Sequence, residues 1–555
     1  MKSGRRGYAL PAILLLVSLS GVHSLFAAGG TDGKTVAPGT NPSAAVPAGP
    51  FGKYEPAITV TSVRYIPPIA AYRPGDDINV NVWTREIEEK LGIKVKYNWV
   101  IEQNQYQNKL NLTLASGDLP DFFSCDAGTY VKLAKAGQLA DLTQAYEDYA
   151  SPDLKGAMDA FPAGFNSGKI DGKLYALSAQ YYGLPGLMDA IWIRSDWLAK
   201  YKLDPPTSLA DVEKIALIFM KGESAPNKQV FGISLNRDLY SVVSNMVGIS
   251  NAHGGYPGIW IKDAKGNIVY GSVQGEMKKA LETLARWYKM GLLSQEFGVK
   301  DIDASNADLV SGRVGISFGA QWNGWYPFND LVKKDPTAIF RPYTIPSLDG
   351  KPAKLQAPWP VATYWVVSKK AKSPEAVFKM ANLYVKYQFH GTEAEFKNFS
   401  DGGEYAVQRQ LSPIDPVIDP RSEDVMSQGV ANALATGDTS KLNVPARVFY
   451  ENCLLWTEKQ NADGFGRYSQ QGPEGSYVAI RKNIAMGVQF TELQGADTPI
   501  WAKNRAILDK LEKDTFTKII LGGASIDEFD SFVQNWKKLG GDAATQEIND
   551  TYNKK

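Results

Sequence analysis

The chain is poor in the residues that most often bind metals or form covalent intermediates. Its 555 residues include two cysteines and three histidines, and none of them has the spacing of a metal site. The sequence also lacks a glycine-rich phosphate loop and a nucleophile elbow. We therefore expect no cofactor and no metal.

An excess of charge of either sign is also absent. Lys and Arg together number 60 and Asp and Glu 59, which gives a net charge of +1. Nucleic-acid binding depends on a basic surface, so no nucleic-acid partner is expected. The acidic residues could supply the two opposed carboxylates of a glycoside hydrolase by chance. That alternative needs a catalytic constellation, and none is visible, so we expect a protein that is not an enzyme.

The first 56 residues have the composition of an export signal and a lead. Basic residues precede an apolar run at residues 10–17, and small residues follow at Ala27 and Ala28; this pattern predicts a signal peptide over residues 1–28. Residues 29–56 are rich in Gly, Thr, Ala, Pro and Ser, which predicts a flexible linker. No cysteine lies near the predicted cut, so we expect a periplasmic protein that is secreted without a lipid anchor.

Two cysteines remain for an oxidising compartment, Cys125 and Cys453. They could form a bridge that closes a very long loop. They could equally be buried thiols that pack as small hydrophobic residues. The sequence alone leaves both possibilities open.

Strand and helix patterns alternate along the chain. A β-type run begins near Ile58, and residues 81–91 form a helical pattern with Trp83 on its apolar stripe. A strand at residues 93–100, a helix at 106–115 and a short strand at 121–125 follow. Chains of this length exceed one ordinary core. The alternation predicts an α/β fold with more than one lobe, whereas residues 391–475 show weak periodicity and predict an irregular region.

The C-terminal segment predicts two packed helices. Ser525 and Glu528 have the spacing of a capping box, and Gly540-Gly541 supplies a left-handed stop. One face of the second helix is apolar, through Ile526, Phe529, Phe532, Val533, Trp536 and Leu539.

This C-terminal segment and five earlier motifs resemble the large extracellular solute-binding proteins of ABC importers, and they occur in the order found in that family. The resemblance is to the lipoprotein-type carbohydrate-binding branch. The earlier motifs are LTLASGDLPD at 112–121, DGKLYAL at 171–177, IWIRSDWL at 191–198 with TSLAD at 207–211, SGRVGISFG at 311–319 and SPE at 373–375. The resemblance covers residues from about 58 to the end.

The resemblance implies an α/β, two-lobe type II periplasmic-binding-protein fold with a crossing-strand hinge. Lobe 1 would comprise residues 57–186 and about 362–425, and lobe 2 residues 187–361 and about 426–555. It implies a monomer that captures a sugar or oligosaccharide in the interlobe cleft and delivers it to ABC transporter permease subunits. Oligopeptide capture by backbone pairing is the alternative, and a purely structural surface protein is a third possibility.

Sugar recognition combines aromatic faces with planar polar side chains, and the resemblance places several such residues at the cleft. Asp126 and Thr129 follow the strand at 121–124, although Asp126 could simply cap the next helix. Cys125 stands where maltose-type relatives place a tryptophan. Gln180, Tyr181 and Tyr182 follow the strand that leads to the first crossing.

A Gly-flanked aromatic loop supplies the strongest single prediction. Trp322 follows the strand at 315–318, where the maltose-binding pattern places a stacking tryptophan, and Asn323 and Trp325 are its neighbours; Trp325 could instead be core. On the second crossing, Trp359 or Tyr364 is expected to face ligand.

Overall fold

The computed structural model describes residues 46–67, 71–180, 184–400, 408–415 and 422–552. The predicted signal peptide and most of the predicted linker lie outside these ranges. Within them, no helix combines the length and apolar character that a membrane span requires.

The strands of the described residues are short and alternate with helices. In chain order they are β1 (Ile58–Ile66), β2 (Ile93–Glu102), β3 (Phe122–Cys125), β4 (Lys169–Ile170), β5 (Lys173–Leu174), β6 (Ala176–Gln180), β7 (Asp189–Arg194), β8 (Phe231–Ile233), β9 (Trp260–Lys262), β10 (Ile268–Tyr270), β11 (Val314–Ala320), β12 (Phe340–Tyr343), β13 (Leu355–Ala357), β14 (Val361–Val367) and β15 (Val488–Phe490).

The α-helices cover the sheets and form most of the C-terminal third. They are α1 (Val82–Leu91), α2 (Tyr106–Ser116), α3 (Ala127–Lys135), α4 (Thr143–Tyr149), α5 (Pro152–Asp159), α6 (Pro162–Asn166), α7 (Ser195–Tyr201), α8 (Leu209–Glu223), α9 (Val247–Ala252), α10 (Gly275–Lys289), α11 (Ile302–Val310), α12 (Phe328–Lys334), α13 (Ala376–Val385), α14 (Glu393–Phe399), α15 (Ser422–Thr436), α16 (Val444–Thr457), α17 (Phe465–Gln471), α18 (Ser476–Ile484), α19 (Pro499–Ile520), α20 (Glu528–Trp536) and α21 (Asp542–Tyr552).

The lobe-1 sheet is built around β14. This strand pairs antiparallel with β3 on one side and β6 on the other, so β3 and β6 are parallel to each other. The parallel pair β1–β2 lies beside β3, where Ser62 Oγ donates to the Phe122 carbonyl at 2.9 Å and Thr61 Oγ1 to Asp121 Oδ2 at 2.8 Å.

The lobe-2 sheet has the strand order β12–β7–β11–β8. Strand β7 is antiparallel to both β11 and β12, whereas β11 and β8 are parallel. Each sheet therefore contains one strand that runs against its neighbours, β14 in lobe 1 and β7 in lobe 2. These two strands are the ones that the chain enters directly after crossing between the lobes. This is the two-lobe type II periplasmic-binding fold with crossing strands as its hinge.

Separate hydrophobic clusters fill the two halves. One cluster draws its buried residues from 188–357 and 465–548, and two others draw theirs from 54–179 and 361–414. Trp83 is fully buried in the latter group, where its Nε1 donates to the carbonyls of Phe399 and Gln408 at 3.1 and 2.9 Å. The indole is a core residue and no part of it faces a cleft.

The packed body begins earlier than the composition predicted. Tyr54 is 1% exposed, and the buried Lys379 Nζ donates to the carbonyls of Pro47, Gly49 and Gly52 at 3.0, 2.6 and 3.3 Å. The prediction of a flexible linker through residue 56 is therefore wrong for residues 47–54. Small residues suited this segment to a close approach, and hydrogen bonds to its carbonyls fix it to α13.

The region at 391–475 is more regular than its weak periodicity suggested. Helices α14 to α17 occupy much of it, and their contacts form a fourth hydrophobic cluster that contains Cys453. Cys125 belongs to a different cluster, and both thiols are free and buried. The bridge that the sequence left open is therefore not formed, and burial raises the pKa of both thiols.

The C-terminal helices confirm the packing prediction for most of the apolar face, although Leu539 is exposed, and they correct the capping prediction. Phe529, Phe532 and Trp536 are buried, and Gly540 adopts the left-handed stop with φ of 116°. Glu528, however, donates its backbone N–H to the Ser525 carbonyl at 3.1 Å. A backbone hydrogen bond of a turn precedes the helix in place of the side-chain hydrogen bonds of a capping box, so the predicted capping box does not form.

Candidate ligand-binding site

The chain crosses between the lobes twice, and each crossing has one cavity at its lobe-1 end and another at its lobe-2 end. The lobe-1 cavity, of about 530 Å³, includes Gln180 at the end of β6 and Thr363 near the start of β14. The lobe-2 cavity, of about 440 Å³, includes Asp189 at the start of β7 and Gln356 in β13. Each crossing leaves one cavity and enters the other, which is the arrangement of a ligand cleft divided between two lobes.

The lobe-1 cavity lies beyond the carboxyl ends of β1, β3 and β6, where ligands of open α/β sheets bind. Its walls are mainly polar side chains and include three tyrosines. The lining residues are Arg64, Tyr65, Gln103, Tyr106, Gln107, Ser124, Cys125, Asp126, Ala179, Gln180, Thr363, Tyr384, Arg409, Gln410 and Asp415.

Several polar atoms in these walls have no hydrogen-bond partner. They are Arg64 Nε, Gln180 Oε1 and Gln410 Oε1. The Gln180 amide is oriented by Phe161, whose carbonyl accepts from Gln180 Nε2 at 3.4 Å; its oxygen is therefore the end left over. Because an unmet buried polar group costs about 1–3 kcal/mol, this cavity is built to gain from a polar ligand.

A buried guanidinium dominates the electrostatics of the lobe-1 cavity. Arg64 is 2% exposed, and its Nη2 donates to the Gln410 carbonyl at 2.8 Å. Burial raises the pKa of Asp415 above its usual value, and the nearby Arg64 charge partly offsets that rise. Burial also raises the pKa of Tyr97 to about 12, again opposed by Arg64, so Tyr97 stays neutral.

Two of the three tyrosines that line this cavity pack against each other. Tyr65 and Tyr106 meet edge to face with ring centroids 5.6 Å apart, and Trp99 packs on Tyr106 at 5.5 Å. The Tyr106 hydroxyl donates to the Ser124 carbonyl at 2.9 Å, which fixes its ring. Partly exposed, oriented rings of this kind can stack on the apolar face of a sugar.

The lobe-2 cavity contains a carboxylate with no cation partner among the described residues, Asp189. Its Oδ2 accepts from Asn245 Nδ2 at 2.8 Å, and burial raises its pKa to about 6. The complete lining is Leu187, Asp189, Tyr240, Ser241, Val242, Asn245, Val247, Asn251, Pro257, Gly258, Ile259, Tyr270, Gln356, Pro358, Arg505, Asp509, Glu512 and Lys513.

A second buried carboxyl, Glu512, also lines the lobe-2 cavity. The Tyr240 hydroxyl donates to its Oε1. Burial raises the pKa of Glu512 to about 7, and hydroxyl hydrogen bonds oppose part of this rise. Two cations of the same helix also line this cavity: Arg505 pairs with Asp497 at 3.0 Å and with Asp509 at 3.5 Å, and Lys513 pairs with Asp238 at 2.7 Å.

Of the first two predicted ligand residues, Asp126 lies at the lobe-1 cavity and Thr129 does not line it. Asp126 Oδ1 also accepts from the Thr129 backbone N–H at 2.7 Å. Capping the helix and facing the cavity are therefore compatible roles. Gln180 lines the same cavity, whereas Tyr181 and Tyr182 lie outside the described residues.

The aromatic loop after β11 lies elsewhere. Trp322 is half-buried against the lobe-2 core, and the buried Asn323 donates through Nδ2 to the Val242 carbonyl at 3.2 Å. Trp325 is 36% exposed, with the Arg467 guanidinium 4.8 Å from its ring centroid. None of the three predicted residues lines either described cavity.

The two predicted residues on the second crossing do not line either cavity. Trp359 packs on Phe161 with ring centroids 5.4 Å apart. Tyr364 is 1% exposed and stacks on Tyr130, and its hydroxyl donates to Ser167 Oγ at 2.9 Å. Tyr364 is thus a core residue, because its side chain leaves the sheet on the covered face.

The sequence did not single out the polar residues that the structure brings to the cleft. These are Arg64, Tyr65, Tyr106, Asp189, Arg409, Gln410 and Asp415. Asp189 had a usable signal, because an acidic residue opens an otherwise apolar strand. The segment at 408–415 had none, since it lies in the region of weak periodicity.

The described residues contain no group of three or more His, Cys, Asp or Glu side chains that could hold a metal ion. The cavities instead offer amides, hydroxyls, carboxylates and one unmet guanidinium N–H. Such groups can bind hydroxyl-rich ligands by hydrogen bonds.

Known proteins share both the sequence pattern and the fold. The family model for bacterial extracellular solute-binding proteins matches residues 79–387. Lipoprotein LipO of Bacillus subtilis is 22% identical over 488 residues, which cover 84% of this chain and 88% of LipO.

Among solved structures, the Streptococcus pneumoniae ABC-transporter substrate-binding protein FusA in complex with kestose superposes with a TM-score of 0.61 at 15% identity, over 90% of this chain and 99% of FusA. An HMO-binding ABC-transporter-associated solute-binding protein of Bifidobacterium longum infantis gives 0.60 at 16% identity, over 89% and 98% of the two chains. The family model spans more than half of the sequence, and the chain belongs to the bacterial extracellular solute-binding proteins.

Proposed function

We propose that this protein is the extracytoplasmic binding component of an ABC importer and captures a sugar or oligosaccharide between its lobes. The observation that carries the proposal is the lobe-1 cavity, which combines unmet polar atoms of Arg64, Gln180 and Gln410 with the rings of Tyr65 and Tyr106. Sugars need both elements, planar polar groups for their hydroxyls and aromatic faces for their C–H surfaces.

The cavity volumes and the relatives support an oligosaccharide. Together the two half-sites enclose space for more than one sugar ring, if the lobes close on the ligand. FusA was solved with kestose, and a second structural relative is described as HMO-binding. Delivery would then require permease subunits that recognise the closed monomer.

Oligopeptide capture is the competing proposal. Peptides in a cleft are commonly held by backbone pairing along a strand edge. The lobe-1 cavity is formed at strand ends instead, by Arg64 of β1, Cys125 of β3 and Gln180 of β6. Side-chain hydrogen bonding suits this geometry better, which favours the sugar.

A thermal-shift screen tests the proposal directly. The panel contains neutral trisaccharides, trisaccharides of uronic acids and tripeptides, and each hit is confirmed by titration calorimetry. A ligand that binds only the folded state at 100 times its Kd stabilises that state by about 2.7 kcal/mol, so a sugar hit raises the melting midpoint. Stabilisation by peptides and by no sugar would overturn the proposal.

A further inference from the structure

Two oppositely charged side chains face each other in the lobe-1 cavity without forming an ion pair. Arg64 and Asp415 both line it and interact electrostatically. No nitrogen of Arg64 lies within 4.0 Å of the Asp415 carboxylate, although the structure describes both residues. Arg64 donates instead to the Gln410 carbonyl at 2.8 Å. A gap between unlike charges is space for a group that can both donate and accept.

The unmet hydrogen-bonding groups of this cavity are mostly acceptors. Gln180 Oε1 and Gln410 Oε1 lack donors, and the Asp415 carboxylate accepts nothing from another described side chain. The corresponding unmet donor is Arg64 Nε. A hydroxyl can satisfy either kind of group, whereas a ligand carboxylate brings acceptors alone.

The charges around the cleft are balanced in lobe 1 and acidic at the facing wall. Arg64 and Arg409 are matched by Asp126 and Asp415 among the lobe-1 lining residues. In the lobe-2 cavity, Asp189 has no cation partner among the described residues. Both cations of the lobe-2 lining have carboxylate partners: Lys513 pairs with Asp238 at 2.7 Å, and Arg505 pairs with Asp497 at 3.0 Å and with Asp509, itself a lining residue, at 3.5 Å. A ligand anion would therefore meet no excess of positive charge in lobe 1, and it would meet the Asp189 carboxyl at the facing wall.

We infer that Arg64 and Asp415 together hold a pair of neighbouring hydroxyls of a neutral sugar, and that Asp415 excludes acidic sugars from the cleft. One hydroxyl donates to the Asp415 carboxylate, and its neighbour accepts from Arg64. This inference rests on the proposed function and narrows it to uncharged oligosaccharides. In a cavity of low dielectric, the repulsion between Asp415 and a uronate is stronger than in water.

Calorimetry on wild type and Asp415→Asn tests the inference, with neutral trisaccharides and trigalacturonate as probes. Wild type should bind a neutral trisaccharide at least twentyfold more tightly than trigalacturonate. Asp415→Asn keeps an acceptor for the hydroxyl but removes the charge. It should lose less than tenfold in affinity for the neutral sugar and gain at least tenfold for trigalacturonate. Asp303→Asn, an exposed carboxylate on α11, is the matched control and should change neither affinity.

Two results would overturn the inference while leaving the proposed function intact. One is a wild type that binds trigalacturonate as tightly as the neutral sugar. The other is an Asp415→Asn protein whose melting midpoint shows that it folds but whose affinity for trigalacturonate does not increase. If Asp415→Asn does not fold, the Arg64→Lys variant tests the inference instead. Loss of the guanidinium fork should lower the affinity for the neutral sugar at least tenfold. Binding of tripeptides alone would reject the proposed function and the inference with it.

Discussion

Tyr364 stacks on Tyr130 with ring centroids 4.9 Å apart and planes 13° from parallel. The stack anchors β14 to helix α3 at the point where the chain re-enters lobe 1. The adjacent residue, Thr363, lies on the opposite face of the strand, lines the lobe-1 cavity and donates through Oγ1 to the Cys125 carbonyl at 2.9 Å. A shift of one residue along β14 thus separates a core position from a cleft position.

Tyr364→Phe should keep the stack and lose only the hydrogen bond to Ser167 Oγ. We expect the free energy of unfolding to fall by about 1 kcal/mol and the affinity for ligand to stay unchanged. Urea unfolding and titration calorimetry measure the two effects. A lower affinity with unchanged stability would return Tyr364 to the binding site.

Tyr106→Ala should weaken sugar binding by about 1–3 kcal/mol, since an oriented ring at the cavity contributes stacking that alanine cannot replace. Tyr106→Phe is the matched control, because it retains the ring and removes only the hydroxyl.

Trp322→Ala, in contrast, should lower the melting midpoint more than the affinity, because Trp322 packs against the lobe-2 core. The reverse pattern in calorimetry would restore Trp322 as the stacking residue.

Local signals in the sequence predicted local structure well. Ser208 and Asp211 form a capping box at the start of α8, and the apolar residues spaced along one face of this helix are buried, namely Leu209, Val212, Ile215, Ala216 and Phe219. Strand alternation and the motif order likewise led to the correct fold. Each of these features depends on residues within about one helical turn of one another, or on a pattern repeated along the whole chain.

The binding residues could not be found by the same means. Arg64 and Gln410 are 346 positions apart in the chain and meet only in the folded protein. Nothing in the periodicity around residue 410 marks it as part of a cavity. In the strand that contains Tyr364, successive side chains point to opposite faces of the sheet. This alternation does not show which of the two faces is covered. That choice depends on α3, which packs from elsewhere in lobe 1.

The stability of the protein should fall as the pH rises from about 4.5 to 7 through the titration of Glu512. Burial raises its pKa from 4.5 to about 7, so in this window the folded state holds a proton that the unfolded state releases. The stabilisation is complete below pH 4.5 and lost above pH 7, with a size of about 3 kcal/mol. Thermal unfolding across this range measures it.

Glu512→Gln is the decisive variant for that pH effect, since it keeps a partner for the Tyr240 hydroxyl and cannot ionise. Its melting midpoint should depend less on pH than that of wild type. Asp189, whose pKa is raised to about 6, acts in the same direction and remains in both proteins. Equal pH slopes in the two proteins would show that Glu512 is already ionised in the folded state.

Lys379→Met should release residues 47–54 from lobe 1. The ammonium group donates to three carbonyls of that segment, and methionine leaves them unsatisfied. We expect a loss of about 2–4 kcal/mol in the free energy of unfolding and faster proteolysis within 47–54. Lys370→Met, at an exposed position, serves as the control. Similar proteolysis in both variants would mean that other contacts hold the segment.

Ligand should close the two lobes, and Asp189 should contribute to that closure. A ligand shifts an open–closed equilibrium only through contacts that differ between the two states. The lobe-1 cavity can bind the ligand first, through its unmet polar atoms, whereas the Asp189 carboxylate lies across the crossing from Gln180 and can be reached only when the lobes approach. Saturating neutral sugar should therefore reduce the radius of gyration of wild type in solution scattering. Asp189→Asn should show a smaller reduction at equal occupancy, and Asp303→Asn a normal one. Calorimetry shows when the wild-type protein is saturated with ligand. If its scattering curve is then unchanged, the cleft is a rigid pocket and binding involves lobe 1 alone.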